Sequence, residues 1–251
     1  MNLDPLEELL RLSHEIGRES RKLAVLGEGN TSARISEAEF WVKASGSCLG
    51  NLTPQQVTRC RAETVLTLLE DREFTDEEVD AVLLESRIDL KSKKPSIETM
   101  FHAWLLTLEE VEFVGHCHSE AANKILCSPR AREFAESRIF PDEIVCCGRA
   151  SVFVENSDPG LPLALSIRER TMEFIGKHGE APRLILLESH GIIALGRTAD
   201  AVLACTIMAD KAATIFAGAA AMGGPVYLAR EQIERIAGRP DELYRRKQLN
   251  L

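Results

Sequence analysis

Stretches of strand-like and helical apolar patterning alternate along this sequence, which predicts an α/β fold built in layers. Three observations carry that expectation. The chain has 251 residues, 45% of them hydrophobic, enough to bury roughly three quarters of its unfolded surface without a disulfide or metal staple. Short β-like runs such as FWVKASG, VEFVGHCH and RLILLESHGIIALG recur between segments of helical period. No internal repeat or low-complexity linker interrupts them, so one domain spanning 1–251 is expected. The charged stretch 70–94 still carries Val79, Val82, Leu83 and Leu84 at helical spacing and reads as an exposed helix or turn.

In chain order, residues 5–20 place Leu6, Leu9, Leu10, Leu12 and Ile16 on an amphipathic helix. LAVLGEGNTSARI passes from an apolar run through Gly27, Gly29 and Asn30 into a strand-like segment. Thr53, Pro54 and Gln56 form a capping-box pattern that predicts a helix start. SIETMFHAWLLTLEE predicts a helix capped by Ser96, with Ile97, Met100, Phe101, Trp104, Leu105 and Leu108 on its apolar stripe and Glu98 and His102 opposite. After the VEFVGHCH strand, SEAANKILC predicts a helix and EIVCCGRASVFVE short strands. PGLPLALSIRERTMEFIGKHG predicts a helix stopped by Gly179. Two strands then meet at His190-Gly191, followed by a long small-residue helix over 199–222 and a charged helical tail.

Thirty Lys and Arg against 39 Asp and Glu give a net charge of −9. With no basic run, nucleic acid and anionic membrane surfaces are excluded as expected partners. An anionic substrate would then need a local positive device, either a metal or a nest of backbone N–H groups. The apolar stretch 212–229 is broken by Gly223-Gly224-Pro225 and reads as a buried helix end and turn rather than a membrane span. The first twenty residues lack the pattern of a secretory signal. Seven cysteines, an odd number without a CxxC, fit reduced thiols and a cytoplasmic location.

Among the six histidines, His116 and His118 flank Cys117 on a strand, so their imidazoles share one face and Cys117 takes the other. Such a pair suits a metal that receives one or two further donors, and equally suits two partly buried histidines bonded locally. His190 sits at a strand end, where open α/β sheets assemble their sites. His14, His102 and His178 read as helix-surface residues or as residues supporting a site from behind. Glu98, at a helix start, either stabilises the helix dipole or serves as an acidic partner of the histidines.

Taken together, GEGNTSAR (27–34), KASG (43–46), PSIET (95–99), GHCHSEA (115–121), DPGLPLA (158–164) and LLESHGIIALGRT (186–198) resemble the class II aldolase/adducin family. The group contains fuculose-phosphate and ribulose-phosphate enzymes. PSIET and DPGLPLA look closest to the aldolase half of certain longer rhamnulose-phosphate aldolase/dehydrogenase-type proteins, whose dehydrogenase half has no counterpart in these residues. The resemblance implies a three-layer α-β-α sandwich around a mixed, largely antiparallel sheet. It implies a divalent metal, usually zinc with Mn2+ or Co2+ as alternatives, held by His116, His118 and His190. Glu98 would serve as the base, and Asn30, Ser45, Gly46 and Ser96 would bind phosphate. The expected reaction is carbon–carbon cleavage of a small hydroxy-carbonyl compound through a metal-stabilised enediolate, in a homotetramer.

Two departures matter. Ile97 stands where fuculose-type enzymes carry a second phosphate-binding Ser. The 138–150 stretch lacks their proton-donating Tyr, the two tyrosines here being Tyr227 and Tyr244. Decarboxylation, dehydration and epimerisation therefore stand as alternatives on the same scaffold. A non-catalytic, adducin-like binding module is the reading from a different class.

Overall fold

The computed structural model describes residues 4–70 and 73–248. The first helix, α1 (Pro5–Ile16), starts where the Asp4 carboxylate accepts the Leu6 N–H at 3.0 Å and Pro5 fills the first turn. It stops at Gly17, whose backbone lies so close to Gly50 that a Cβ would fall 2.1 Å from the Gly50 nitrogen. Strands β1 (Asn30–Arg34), β2 (Glu39–Lys43) and β3 (Val57–Arg61) form an antiparallel meander. Helices α2 (Ala62–Leu66), α3 (Asp76–Glu85) and α4 (Thr99–Leu105) lead to β4 (Phe113–Cys117). Then come α5 (Glu120–Leu126), α6 (Ala131–Glu136), α7 (Pro141–Cys147) and β5 (Val152–Val154). The long α8 (Leu161–His178) precedes β6 (Leu184–Leu187) and β7 (Gly191–Gly196). Last are α9 (Ala199–Ala221), α10 (Arg230–Ala237) and α11 (Pro240–Gln248).

The seven strands form one sheet in the order β3-β2-β1-β4-β7-β6-β5. Every pairing is antiparallel except β5 with β6. Alternation of side chains across the sheet splits the core in two. One face, with Val42, Val114, Ile185 and Ile193, packs under α2, α4 and α8; the other, with Cys117, Leu186, Ile192 and Ala194, packs under α5, α7 and α9. The expected three-layer sandwich with a mixed, largely antiparallel sheet is present.

Four local expectations are corrected. The Thr53 capping pattern serves only a single turn, Pro54–Gln56, where Gln56 accepts the Thr53 N–H at 3.0 Å. The chain then enters β3, because pairing with β2 buries Val57, Thr58 and Cys60. The EIVCC segment is helix α7 rather than strand: Pro141 opens it, the Glu143 side chain accepts the Ile139 N–H at 3.0 Å, and Gly148 at φ 83° ends it. The cap position of α4 is Glu98 rather than Ser96, whose hydroxyl accepts the Glu98 N–H at 3.3 Å from two residues earlier, and Ile97 points outward, 41% exposed. The end of the Ala-rich stretch is not buried, since Met222 and Val226 are 90% and 88% exposed.

Among the described residues, α9 is the one helix long and apolar enough by composition to cross a membrane. Here it lies along β4, β6 and β7 and against α1, α5 and α7.

Candidate functional site

The antiparallel register brings the end of β4 and the start of both β1 and β7 to one edge of the sheet. His116 stands opposite Asn30 on one side and Ile193 on the other. A bridge between Ala44 and Pro95 draws the start of α4, with Glu98, over the same edge. His190 arrives from the β6–β7 turn, where Ser189 takes a left-handed φ of 56°. The Asn123 side chain on α5 holds that turn by donating to the His190 carbonyl at 3.0 Å.

The rings of His116, His118 and His190 form a near-equilateral triangle, with centroids 4.8 to 5.0 Å apart. The Nε2 atoms of His116 and His118 are 3.0 Å apart, and one nitrogen from each of the three rings falls within 4.8 Å of the others. His116 Nδ1 lies 3.0 Å from the Ile192 carbonyl. A carbonyl only accepts, so Nδ1 carries the hydrogen and Nε2 presents its lone pair to the centre. Burial pushes the His116 imidazole down to about 3, helped by its neighbour His190. Burial and His116 push His118 down to about 4, against the opposing pull of Glu28 and Glu98. His190 is lowered too, chiefly by burial. Three neutral, convergent imidazoles fit a divalent cation, which binds only deprotonated rings. Cys117 faces the opposite core, as strand alternation requires.

Glu98 reaches into this triangle. One oxygen lies 3.4 Å from His190 Nε2, and the other 3.6 Å from His116 Nε2. The second oxygen also accepts from the Asn30 side-chain amide at 2.5 Å, and that amide lies 3.3 Å from the Ser96 hydroxyl. The candidate anion-binding residues divide accordingly. Asn30 and Ser96 are buried and joined to Glu98, and Asn30 opens a strand rather than lying in a turn. Ser45 and Gly46 form an exposed turn in which Gly46 adopts φ 72°.

One residue beside the site was not singled out for a role in it. Lys43 is 2% exposed, and its ammonium donates to the carbonyls of Gly27 (3.1 Å) and Ser47 (2.6 Å), tying the two glycine-containing loops together. Burial lowers its pKa. His102, read as a helix-surface residue or as one supporting the site from behind, is fully buried beneath Asn30, and burial drives it well below its ordinary value. No sequence signal marked Lys43 as buried. The four-residue spacing from Glu98 to His102 did place both on one helix side.

Residues 7–217 match the sequence profile of the Class II Aldolase and Adducin N-terminal domain family. The uncharacterized oxidoreductase YuxG of Bacillus subtilis (strain 168) is 30% identical over 210 residues, which are 80% of this chain and 28% of that protein. This chain thus spans little more than a quarter of that relative's length. The N-terminal class II aldolase domain of a conserved Thermoplasma acidophilum protein superposes with a TM-score of 0.68 at 25% identity, over 86% of this chain and 95% of that one. An L-fuculose 1-phosphate aldolase superposes with a TM-score of 0.70 at 18% identity, over 94% and 96% of the two chains. The matched profile runs through β1, the HxH of β4 and the His190 turn, and the chain belongs to the class II aldolase and adducin N-terminal domain family.

Proposed function

We propose that this protein is a divalent-metal-dependent carbon–carbon lyase acting on a small hydroxy-keto sugar or sugar phosphate. His116, His118 and His190 would hold the ion, and Glu98 would move the proton. The observation that carries this reading is the Glu98 carboxylate set between two imidazole nitrogens at 3.4 and 3.6 Å while tethered to Asn30. Zinc suits the all-imidazole donor set, with Mn2+ and Co2+ as alternatives. When bound, the ion polarises the substrate's oxygens and offsets the negative charge that develops as the carbon–carbon bond breaks.

The rest of the work falls to side chains. Glu98 takes a proton from a substrate hydroxyl or returns one to carbon, within reach of the ring cluster. The exposed Ser45-Gly46 turn and the buried Asn30 and Ser96 supply polar groups for an anionic group. The exposed Ile97 presents an apolar surface where a further hydroxyl would serve a phosphate. Membership of a family of largely metal-dependent enzymes supports the reading, as does the fold shared with an L-fuculose 1-phosphate aldolase. A cytoplasmic location, consistent with seven free thiols, and assembly as a homo-oligomer complete the proposal.

Decarboxylation, dehydration or epimerisation is the second reading. Residues 138–150 hold no tyrosine, so an aldol reaction here needs a proton donor from elsewhere.

Metal analysis of the purified protein and of alanine variants at the three histidines tests the site. Near-stoichiometric divalent metal should fall away in each variant; metal that survives all three substitutions would refute the assignment. Glu98→Gln should retain metal and lose most turnover, and full activity in that variant would remove Glu98 from the chemistry.

A further inference from the structure

His102 lies outside the ring triangle, yet it is fully buried and touches the residue that tethers Glu98. Its Nδ1 is 2.7 Å from the Ser32 hydroxyl, and its Nε2 pairs with Asn30 Oδ1. Asn30 and Ser32 are two residues apart on β1 and share a face. Glu98 and His102 are four apart at the start of α4, where the His102 N–H bonds to the Glu98 carbonyl at 3.4 Å. One ring therefore spans the gap between helix and strand, directly behind the site. Phe101 stacks on it at 4.6 Å, which restricts its tilt.

With Glu98 ionised, the hydrogen inventory of this chain of contacts has one consistent solution. A carboxylate only accepts, so the NH2 end of Asn30 faces Glu98 at 2.5 Å and its Oδ1 faces His102. An amide oxygen only accepts, so His102 Nε2 carries the ring hydrogen. Nδ1 is then bare and accepts from Ser32, which has a hydroxyl to give. With the opposite tautomer, Asn30 Oδ1 would meet a bare nitrogen, and relief by turning the amide over would set its oxygen against the Glu98 carboxylate.

We propose that His102 is a positioning residue: its Nε2–H fixes the orientation of the Asn30 amide, and that amide holds one Glu98 oxygen so that the other faces His190. The role rests on Glu98 being the base of the proposed reaction, but the hydrogen-bond chain itself does not. Removing the ring hydrogen bond frees Asn30 to turn over and releases the carboxylate from the site. No neighbouring group replaces it, since Ser96 meets the same NH2 end, at 3.3 Å.

The experiment uses the metal-free 251-residue chain without substrate, labelled with nitrogen-15. Long-range proton–nitrogen correlation should place the His102 ring proton on Nε2 alone; a proton on Nδ1 would overturn the proposal. Hydrogen exchange of the Asn30 side-chain amide should accelerate roughly 10- to 100-fold in His102→Leu, the equivalent of one hydrogen bond to a charged group. It should stay near the wild-type rate in His102→Gln, whose amide can donate to Asn30 and accept from Ser32. Unchanged exchange in a folded His102→Leu variant would also overturn it, and if that variant does not fold, the wild-type tautomer decides. Neither readout needs metal or turnover, so a failed lyase assignment and a failed positioning role give different results.

Discussion

Gly29 and Gly46 adopt nearly the same left-handed backbone, φ 67° and 72°, in very different surroundings. A Cβ on Gly46 meets nothing within 4 Å, whereas one on Gly29 falls 2.5 Å from the His116 carbonyl oxygen and 3.2 Å from Leu49 Cδ1. Changing either to Ala adds a backbone cost of roughly 1–2 kcal/mol, offset by roughly 0.4–1 kcal/mol because the unfolded chain loses freedom too. Gly46→Ala should therefore destabilise by roughly 0–1.6 kcal/mol. At Gly29 the carbonyl cannot swing aside, because His116 is paired with both Asn30 and Ile193. Overpacking against a fixed backbone adds roughly 1–3 kcal/mol, for a total of roughly 1–5 kcal/mol. Urea unfolding of the two metal-free variants gives the difference directly. Equal destabilisation would show that the β1–β4 edge yields freely and would refute the picture of a rigid frame behind the histidines.

Two other outcomes are expected. Arg138 is 1% exposed and donates to the carbonyls of Gly148 and Ser137, both at 2.8 Å, with the buried Glu143 at 3.7 Å. Arg138→Met should cost about 3–5 kcal/mol by denaturation, with part recovered when Glu143→Gln removes the stranded charge. The metal-free protein should also be acid-sensitive: His116 and His118 sit at about 3 and about 4, and His102 and His190 are shifted the same way. The unfolded chain takes up protons below pH of about 6.5 that the folded chain refuses. This contribution is complete above that pH and is lost as pH falls towards the folded values, so urea midpoints should drop on acidification before the carboxylates titrate. A flat profile through that interval would contradict the burial of the cluster.

Much of this architecture is legible from local pattern. The α8 and α9 helices, the strand pair meeting at His190 and the shared face of His116 and His118 all follow from periodicity and from stops such as Gly179, which takes φ 73°. What failed depended on distant partners. Val57 to Arg61 follow a capping signal yet become a strand because β2 is there to pair with. Ile144, Val145 and Cys147 suit a strand by composition but are buried as the inner side of helix α7 against α9. The same limit applies at the site. The histidines and Glu98 stand out by residue type, whereas Lys43 and Asn123 acquire their places from loops and helices far off in sequence.

The register that sets His116 against Ile193 also has a kinetic meaning. The ring cluster draws on segments more than seventy residues apart, and His116 binds Ile192 across a separation of 76. Slipping β4 by one residue would turn the His116 imidazole away and present Cys117 instead. Long-range antiparallel pairing is among the slower events in folding. Capture of a divalent ion by all three rings would thus mark completion of the sheet's centre and select the correct register over its nearest misfolded neighbour. Metal uptake followed during refolding would time the closing of the topology rather than the formation of its helices.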